Sequence, residues 1–316
     1  MQIYNIRPHN KYPKLSKAVI ALGSFDGVHR GHQKIIQTGI NLAKRFRSPF
    51  GIITFMPIPP MLIYKGFNFV LSTDTEKINI LRELNVDFLG KIRFSRYLRN
   101  FEPSQFIIQY ITQTINPSVI VVGHDYHFGK EHKGNVTLLA KLGKELGYTV
   151  KVVSNLKYHN APIKSTRIRE LIILGNVQRA KDLLGRPYSL TGIIIKGKGI
   201  ARQLGFPTLN LHISQKEKLI PADGVYQVRA RFENKSYDGV MNIGFAPTIP
   251  DKLKANQLRS LEIHLFDYQD SGHSYFKEQV TVEFITCIRP ERKFDNIEQL
   301  KQQIACDIKT IKKSLN

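Results

Sequence analysis

Apolar runs with little alternation recur at 18–22, 50–55, 86–92, 118–122 and 148–153, each rich in Val, Ile and Phe. Segments apolar on both sides predict strands covered on two faces. Helical spacing fills the gaps, over 32–47, 74–84, 103–115 and 136–146. The second of these stands behind the capping box Thr73-x-x-Glu76, and the fourth stops at Gly147. Strand and helix in alternation predict a parallel sheet with right-handed crossovers. Two short helices, 166–174 and 177–184, are separated by Gly175 and closed by Gly185-Arg186-Pro187, which predicts a linker. The texture then changes. Segments 188–195, 224–232, 237–243, 261–267 and 279–286 are β-rich and punctuated by Gly, Pro, Asn and Asp, which predicts an antiparallel barrel. A last helix over 297–313 carries Leu300, Ile304, Ile308 and Ile311 on one stripe behind a predicted capping box Asp295-x-x-Glu298. No internal repeat is present. The expected division is 1–186 and 187–316.

Composition removes some classes. Hydrophobic residues at 42% and aromatic residues at 10% of 316 are enough for cores, which excludes whole-chain disorder. Only Cys287 and Cys306 occur, too few for a disulfide framework and too far apart for a CxxC zinc site. No signal peptide reads at the N-terminus, and no run approaches the roughly 18 apolar residues of a membrane span. A cytoplasmic protein with no membrane partner, a monomer or weak homo-oligomer, is the expectation. The net charge is +22, and residues 1–186 hold 28 basic against 11 acidic side chains (+17) while 187–316 hold 19 against 14 (+5). Such a field attracts polyanions, nucleotides and nucleic acids alike.

The first chemical candidate is Gly23-Ser-Phe-Asp-Gly-Val-His-Arg-Gly-His32, which follows the first strand and opens the first helix. A ligand of a doubly wound sheet sits there, against helix-terminal amides that favour phosphate. Gly23, Gly27 and Gly31 allow close backbone approach, and His29 and His32 flank a glycine. The stretch resembles the HxGH signature of nucleotidylyltransferases, in the form found in the bacterial bifunctional riboflavin kinase/FAD synthetase family. Thr54-Phe-Met-Pro-Ile-Pro59, Gly123-His-Asp-Tyr-His-Phe-Gly129 and Ser165-Thr-Arg-Ile-Arg169 resemble further family segments in the expected order. The resemblance implies a Rossmann-like nucleotidylyltransferase domain in which FMN attacks ATP to give FAD and pyrophosphate. It implies catalytic roles for His29, His32 and Arg169, and nucleotide contacts from Gly23, Phe25, Asp26, Gly31, Asp125, Ser165 and Thr166. Ser165 and Thr166 are chemically suited to an N-cap and to hydroxyl donation. Departures from the family pattern are Ile58 where a histidine is usual, Lys164 where the first serine is usual, and the stretch 130–135, which lacks the usual arginine pattern.

The second candidate runs from Gly192 to Leu211, a strand, a loop with Lys196 and Lys198 among glycines, and Pro-Thr-x-Asn. Glycine and lysine there suit phosphates, though the spacing is not a Walker loop. Thr208 and Asn210 offer two hard oxygens on an extended chain, as magnesium prefers. A buried turn satisfying backbone groups explains the pair equally well. The second half resembles the riboflavin kinase module of the same family, through Leu204-Gly-Phe-Pro-Thr-Leu-Asn-Leu211, Pro221-Ala-Asp-Gly-Val-Tyr226, Asn242-Ile-Gly, Leu261-Glu-Ile-His-Leu265 and Arg289-x-Glu-x-x-Phe294. That implies an antiparallel six-stranded β-barrel with a C-terminal helix, phosphorylating riboflavin with ATP and Mg2+. Glu262 is then the base, Thr208 and Asn210 the metal ligands, Gly197, Lys198 and Gly199 the nucleotide loop, and Arg289, Glu291 and Phe294 the flavin side. Ile200, Ala201, Ala246 and Phe276 depart from the usual pattern.

Riboflavin, FMN and ATP are therefore the expected partners of a bifunctional enzyme. One alternative keeps the kinase and treats the first domain as degenerate. Another is a flavin-responsive RNA-binding regulator, because Lys91-Ile-Arg-Phe-Ser-Arg-Tyr-Leu-Arg99 interleaves cations with Phe94 and Tyr97. RNA is the weaker partner, since the charge is scattered rather than blocked.

Overall fold

The computed structural model describes residues 1–63, 69–197, 205–232, 235–245, 259–268 and 276–315. Lys198, Gly199, Ile200, Ala201 and Ala246 lie outside them. The chain forms two compact units, Met1–Ser165 and Thr166–Asn316, so the whole helix pair read as a linker, 166–184, falls in the second.

The first unit runs β1 (Gln2–Asn5), β2 (Val19–Leu22), α1 (Arg30–Phe46), β3 (Phe50–Phe55), α2 (Pro59–Ile63), α3 (Asp74–Glu83), β4 (Phe88–Ile92), α4 (Arg96–Arg99), α5 (Pro103–Phe106), β5 (Val119–Gly123), α6 (Val136–Leu146), β6 (Thr149–Val153), β7 (Lys157–Tyr158) and β8 (Ala161–Pro162). Six strands form a parallel sheet in the order β1-β4-β3-β2-β5-β6. Side chains alternate between two cores, as the strand period requires. Val19 and Ala21 join Ile36 and Ala43 of α1 and Leu81 of α3, whereas Ile20 and Leu22 join Phe106, Leu139 and Leu142 on the other face. Strand order reverses between β2 and β5, and the crevice at their carboxyl ends is where such sheets bind ligands.

Three differences from the sequence reading have local causes. Strand β1 was not anticipated: an edge strand with a mostly exposed pattern needs only main-chain pairing with β4 and carries no apolar run. The helix expected over 103–115 is α-helical only in α5 and continues as a π-helical turn, Ile107–Thr112, while Ile107 and Ile111 stay in the core. Helix α1 starts at Arg30, because the side chain of His29 caps it.

The second unit contains α7 (Ser165–Ile173, whose first residue belongs to the first unit), α8 (Val177–Leu184), β9 (Tyr188–Ile195), β10 (Leu209–His212), β11 (Gly224–Phe232), β12 (Lys235–Phe245), β13 (Arg259–Leu265), β14 (Gln279–Pro290) and α9 (Ile297–Leu315). The strands close into an antiparallel barrel in the order β10-β13-β12-β11-β14-β9. Tyr226, Val228, Met241, Ile263 and Phe284 are buried. Helix α9 covers an outer face, packing Ile311 and Ile308 against Val225, Val240 and Phe266. Its cap is one residue later than predicted. Asn296 Oδ1 accepts from Gln299 N at 2.9 Å and Gln299 Oε1 accepts from Asp295 N at 3.3 Å, so Asn296 and Gln299 replace the expected Asp295 and Glu298. Among the described residues no helix is long and apolar enough to cross a membrane.

Candidate active sites

At the end of β2 the chain makes a tight turn, with Phe25 (φ 48°) and Gly27 (φ 76°) left-handed, before α1 begins. Backbone of that form is easy for glycine and strained for phenylalanine, so the turn must be held from outside. The buried Asp26 carboxylate accepts from Leu71 N (3.0 Å) and Ser72 N (3.2 Å), and Gly27 N donates to Ser72 Oγ (3.0 Å). The Ser24 carbonyl accepts from Lys77 Nζ (3.0 Å) and Thr54 Oγ1 (3.1 Å). Ser165 Oγ donates to the Asp26 carbonyl at 3.0 Å.

Above this turn the His29 and His32 rings stack, centroids 3.6 Å apart and 16° from parallel, with the Phe25 ring 5.1 Å from His32. The capping bond from His32 N goes to His29 Nδ1 at 3.3 Å, which leaves the proton of a neutral His29 on Nε2. His32 Nδ1 is sealed from solvent with no acceptor, so a proton there would be an unsatisfied buried donor. Burial first, then the His29 ring and the Lys77 ammonium, holds His32 well below the usual histidine range. His32 is thus held neutral with its hydrogen on Nε2, the form of a phosphate donor, and a neutral His29 that caps through Nδ1 carries its hydrogen on the same atom. Gly23 and Gly31 leave room for these rings: a Cβ on either would lie 3.1 Å from the ring of Phe25 or His29 respectively.

A pH effect on stability follows. Above about pH 6.5 the His32 ring is neutral folded and unfolded; below it the unfolded chain takes up a proton that the folded chain resists, so stability falls as pH drops towards the lowered folded value. The loss is at most about 1.4 kcal/mol per pH unit. Calorimetric unfolding between pH 7 and 5 should show wild type losing more stability than His32→Gln; parallel curves would contradict it.

The remaining expected residues of this site are placed as follows. Asp125, just after β5, pairs with Lys164 at 3.0 Å, both half-exposed, so the lysine that departs from the family pattern occupies the predicted nucleotide-contacting carboxylate. Ser165 is already inside α7 with its hydroxyl engaged, which leaves the cap position to Lys164 rather than to Ser165 or Thr166. Thr166 is exposed and Arg169 partly buried, both on α7 in the second unit. Ile58 is buried as an apolar side chain beside α2. In 91–99, Phe94 is core, and Tyr97 is 72% exposed with its ring packed edge-on against Phe101 at 5.1 Å, so within that stretch one ring rather than two faces solvent.

In the barrel, Glu262 on β13 lies opposite Asn210 on β10 and Asn242 on β12. Directly paired residues share a face, so three polar side chains form a row across three strands, on the face away from the buried Leu261 and Ile263. Ser260 Oγ donates to Glu262 Oε1 at 2.8 Å and orients it. A Cβ on Gly197 would collide with the Asn210 amide, so glycine is what lets the loop backbone lie on that side chain. Thr208 stands just before β10, and His264 Nδ1 meets the Pro207 carbonyl at 2.9 Å, fixing the approach. Among the described residues no cluster of three His, Cys, Asp or Glu is placed to hold a metal.

Arg289, expected on the flavin side, is taken up structurally. Its Nε and Nη2 donate to Asp307 Oδ2 of α9 at 3.0 and 2.9 Å, and Nη1 donates to the Pro290 carbonyl at 3.2 Å. Its guanidinium lies 5.8 Å from the Phe294 ring, which Arg292 approaches to 4.9 Å, and the Glu291 carboxylate lies against Gly244. Arg289 therefore fixes the wall that carries Glu291 and Phe294. Breaking a buried pair leaves an uncompensated charge, so Asp307→Ala should cost roughly 3–5 kcal/mol in denaturant unfolding, and a loss under about 1 kcal/mol would show that the pair does not lock α9.

Asn242, Ser260, Asp307 and Lys77 were not singled out from sequence as site residues. Asn242 carried a usable signal, since it stands in the Asn-Ile-Gly segment. Lys77 and Asp307 act through partners distant along the chain, and Ser260 through Glu262 two residues on.

The family model described as FAD synthetase matches residues 11–167 and that described as riboflavin kinase matches 184–315. A bifunctional riboflavin kinase/FMN adenylyltransferase of Buchnera aphidicola subsp. Schizaphis graminum is 33% identical, covering 98% of this chain and 97% of its own length. That of Bacillus subtilis is 34% identical over 96% and 95%. A solved structure described as a macrolide-efflux protein from Streptococcus pneumoniae shares the fold at TM-score 0.86 and 28% identity, with 99% of each chain covered. With both family models matched in order and relatives of this identity along nearly its whole length, the chain belongs to the bifunctional riboflavin kinase/FMN adenylyltransferase family.

Proposed function

We infer that the chain makes FMN from riboflavin and FAD from FMN, with 1–186 as the adenylyltransferase domain and 187–316 as the kinase domain. In the kinase reaction the riboflavin 5′-hydroxyl oxygen attacks the γ-phosphorus of ATP, the bond to the β-phosphate oxygen breaks, and ADP leaves. Glu262 takes the hydroxyl proton. Thr208 and Asn210 would hold Mg2+, which when bound neutralises phosphate charge; both present hard oxygens on one extended segment, which suits that ion. Gly197 brings loop backbone towards the nucleotide, and Glu291 and Phe294 face the flavin. The register of Glu262 between Asn210 and Asn242 carries this reading most directly.

In the second reaction an FMN phosphate oxygen attacks the α-phosphorus of ATP, the bond to the bridging oxygen of the β-phosphate breaks, and pyrophosphate leaves. His29 and His32 donate from Nε2 to phosphate oxygens; catalysis is alignment and electrostatic stabilisation rather than proton transfer. Product chromatography from riboflavin, ATP and Mg2+ over time should show FMN, then FAD. FMN accumulating without FAD, even when FMN is supplied, would instead favour a degenerate first site, the reading to which Ile58 and Lys164 lend weight.

A further inference from the structure

We propose that Lys77 is a positioning residue for adenylyl transfer, its ammonium holding the Ser24 carbonyl and thereby the Gly23–His32 turn in register with the phosphates; this rests on the reading of that site given above. Lys77 and Leu81 are the two buried residues of α3, one turn apart on its core face, and Lys77 is 1% exposed. An apolar residue would serve packing there better, because taking an ammonium out of water is costly. Burial lowers the affinity of this amine for its proton, while Asp26 and Asp74 oppose that.

The attachment is specific. Nζ lies 3.0 Å from the Ser24 oxygen, which also accepts from Thr54 Oγ1 on β3, so one carbonyl is gripped from the helix and from the sheet. Immediately before α3, Leu71, Ser72 and the Thr73–Glu76 capping box hold Asp26 and Gly27 and fix the helix start. The strained turn beneath the two histidines is thus moulded by 71–77. With Asp26 close enough to offset it, the Lys77 charge adds little net field at long range, and what it contributes is position. At short range it also acts on His32, which the His29 ring and the Lys77 ammonium both influence, while Asp26 and Asp74 act on Lys77 itself.

The test compares the full wild-type chain with Lys77→Met. Misplacing reacting groups by about 1 Å costs on the order of 10²-fold, and a loss of that size is expected in kcat for FAD formation from FMN, with KM for ATP and FMN little changed. Riboflavin phosphorylation by the same molecules should stay at the wild-type rate. The acid limb of the FAD-forming pH profile should move to higher pH, which a packing role alone would not cause. Wild-type kcat with an unmoved limb overturns the proposal. Should the substitution unfold the first unit, Thr54→Val removes the other donor to the same carbonyl at nearly constant volume; lowered kcat at constant KM supports the proposal and an unchanged kcat overturns it. Wild-type chain forming no FAD sinks the reading of the site together with the proposal, whereas FAD synthesis matched by both variants sinks the proposal alone.

Discussion

Glu262→Gln should abolish most riboflavin phosphorylation and leave FAD synthesis from supplied FMN untouched. A positioned general base contributes typically 10² to 10⁴ in rate, so kcat should fall by about that factor while KM for ATP changes little. Glutamine keeps the size of the side chain and still accepts from Ser260, so the β13 register with Asn210 and Asn242 should survive. It cannot take a proton. The two activities of one chain provide the control: FMN-fed FAD formation reports that the protein is folded, and riboflavin-fed FMN formation reports the base. Retention of more than about a tenth of kcat would show that the hydroxyl needs no base from this strand, leaving Glu262 an orienting group. Equal loss of both activities would point to damage beyond the barrel.

The legibility of this chain follows from how local each cause is. Strands β3 and β9, and helices α6 and α8, were read to the residue, because Val and Ile runs and glycine stops act within a few positions. Strand β10 was not read as a strand: Leu209–His212 is short and is held by partners on β9 and β13 that lie far off along the chain. The chemical motifs were legible because glycine, histidine and Pro-Thr-x-Asn patterns are contiguous. Roles set by distant partners were not. The ion pair of Arg289 depends on Asp307, 18 residues on, and the placing of Lys77 beneath Ser24 depends on how α3 packs, neither of which a contiguous pattern reveals. The Asp295-x-x-Glu298 pattern misled for a smaller reason, since Asn296-x-x-Gln299 one position later competes for the same cap and wins.

The second large effect is expected from His29→Asn, a substitution that separates two jobs done by one ring. His29 Nδ1 caps α1, and the proposed reaction assigns Nε2 to phosphate. Asparagine is among the best N-caps, so it should keep the helix start, whereas alanine should lose about 1 kcal/mol with it. Neither supplies an imidazole donor. Removing one preorganised donor to developing charge costs about 10²–10³ in kcat, and FAD formation should fall by that factor in both variants. Stability should then distinguish them, with the asparagine variant melting near wild type and the alanine variant lower. His32, stacked 3.6 Å away, should not compensate, because its buried Nδ1 has no acceptor and only its Nε2 remains to donate, which the proposed reaction already uses. FAD formation by His29→Asn at the wild-type rate would mean that the turn binds phosphate through backbone amides alone. The histidine would then be a cap and nothing more.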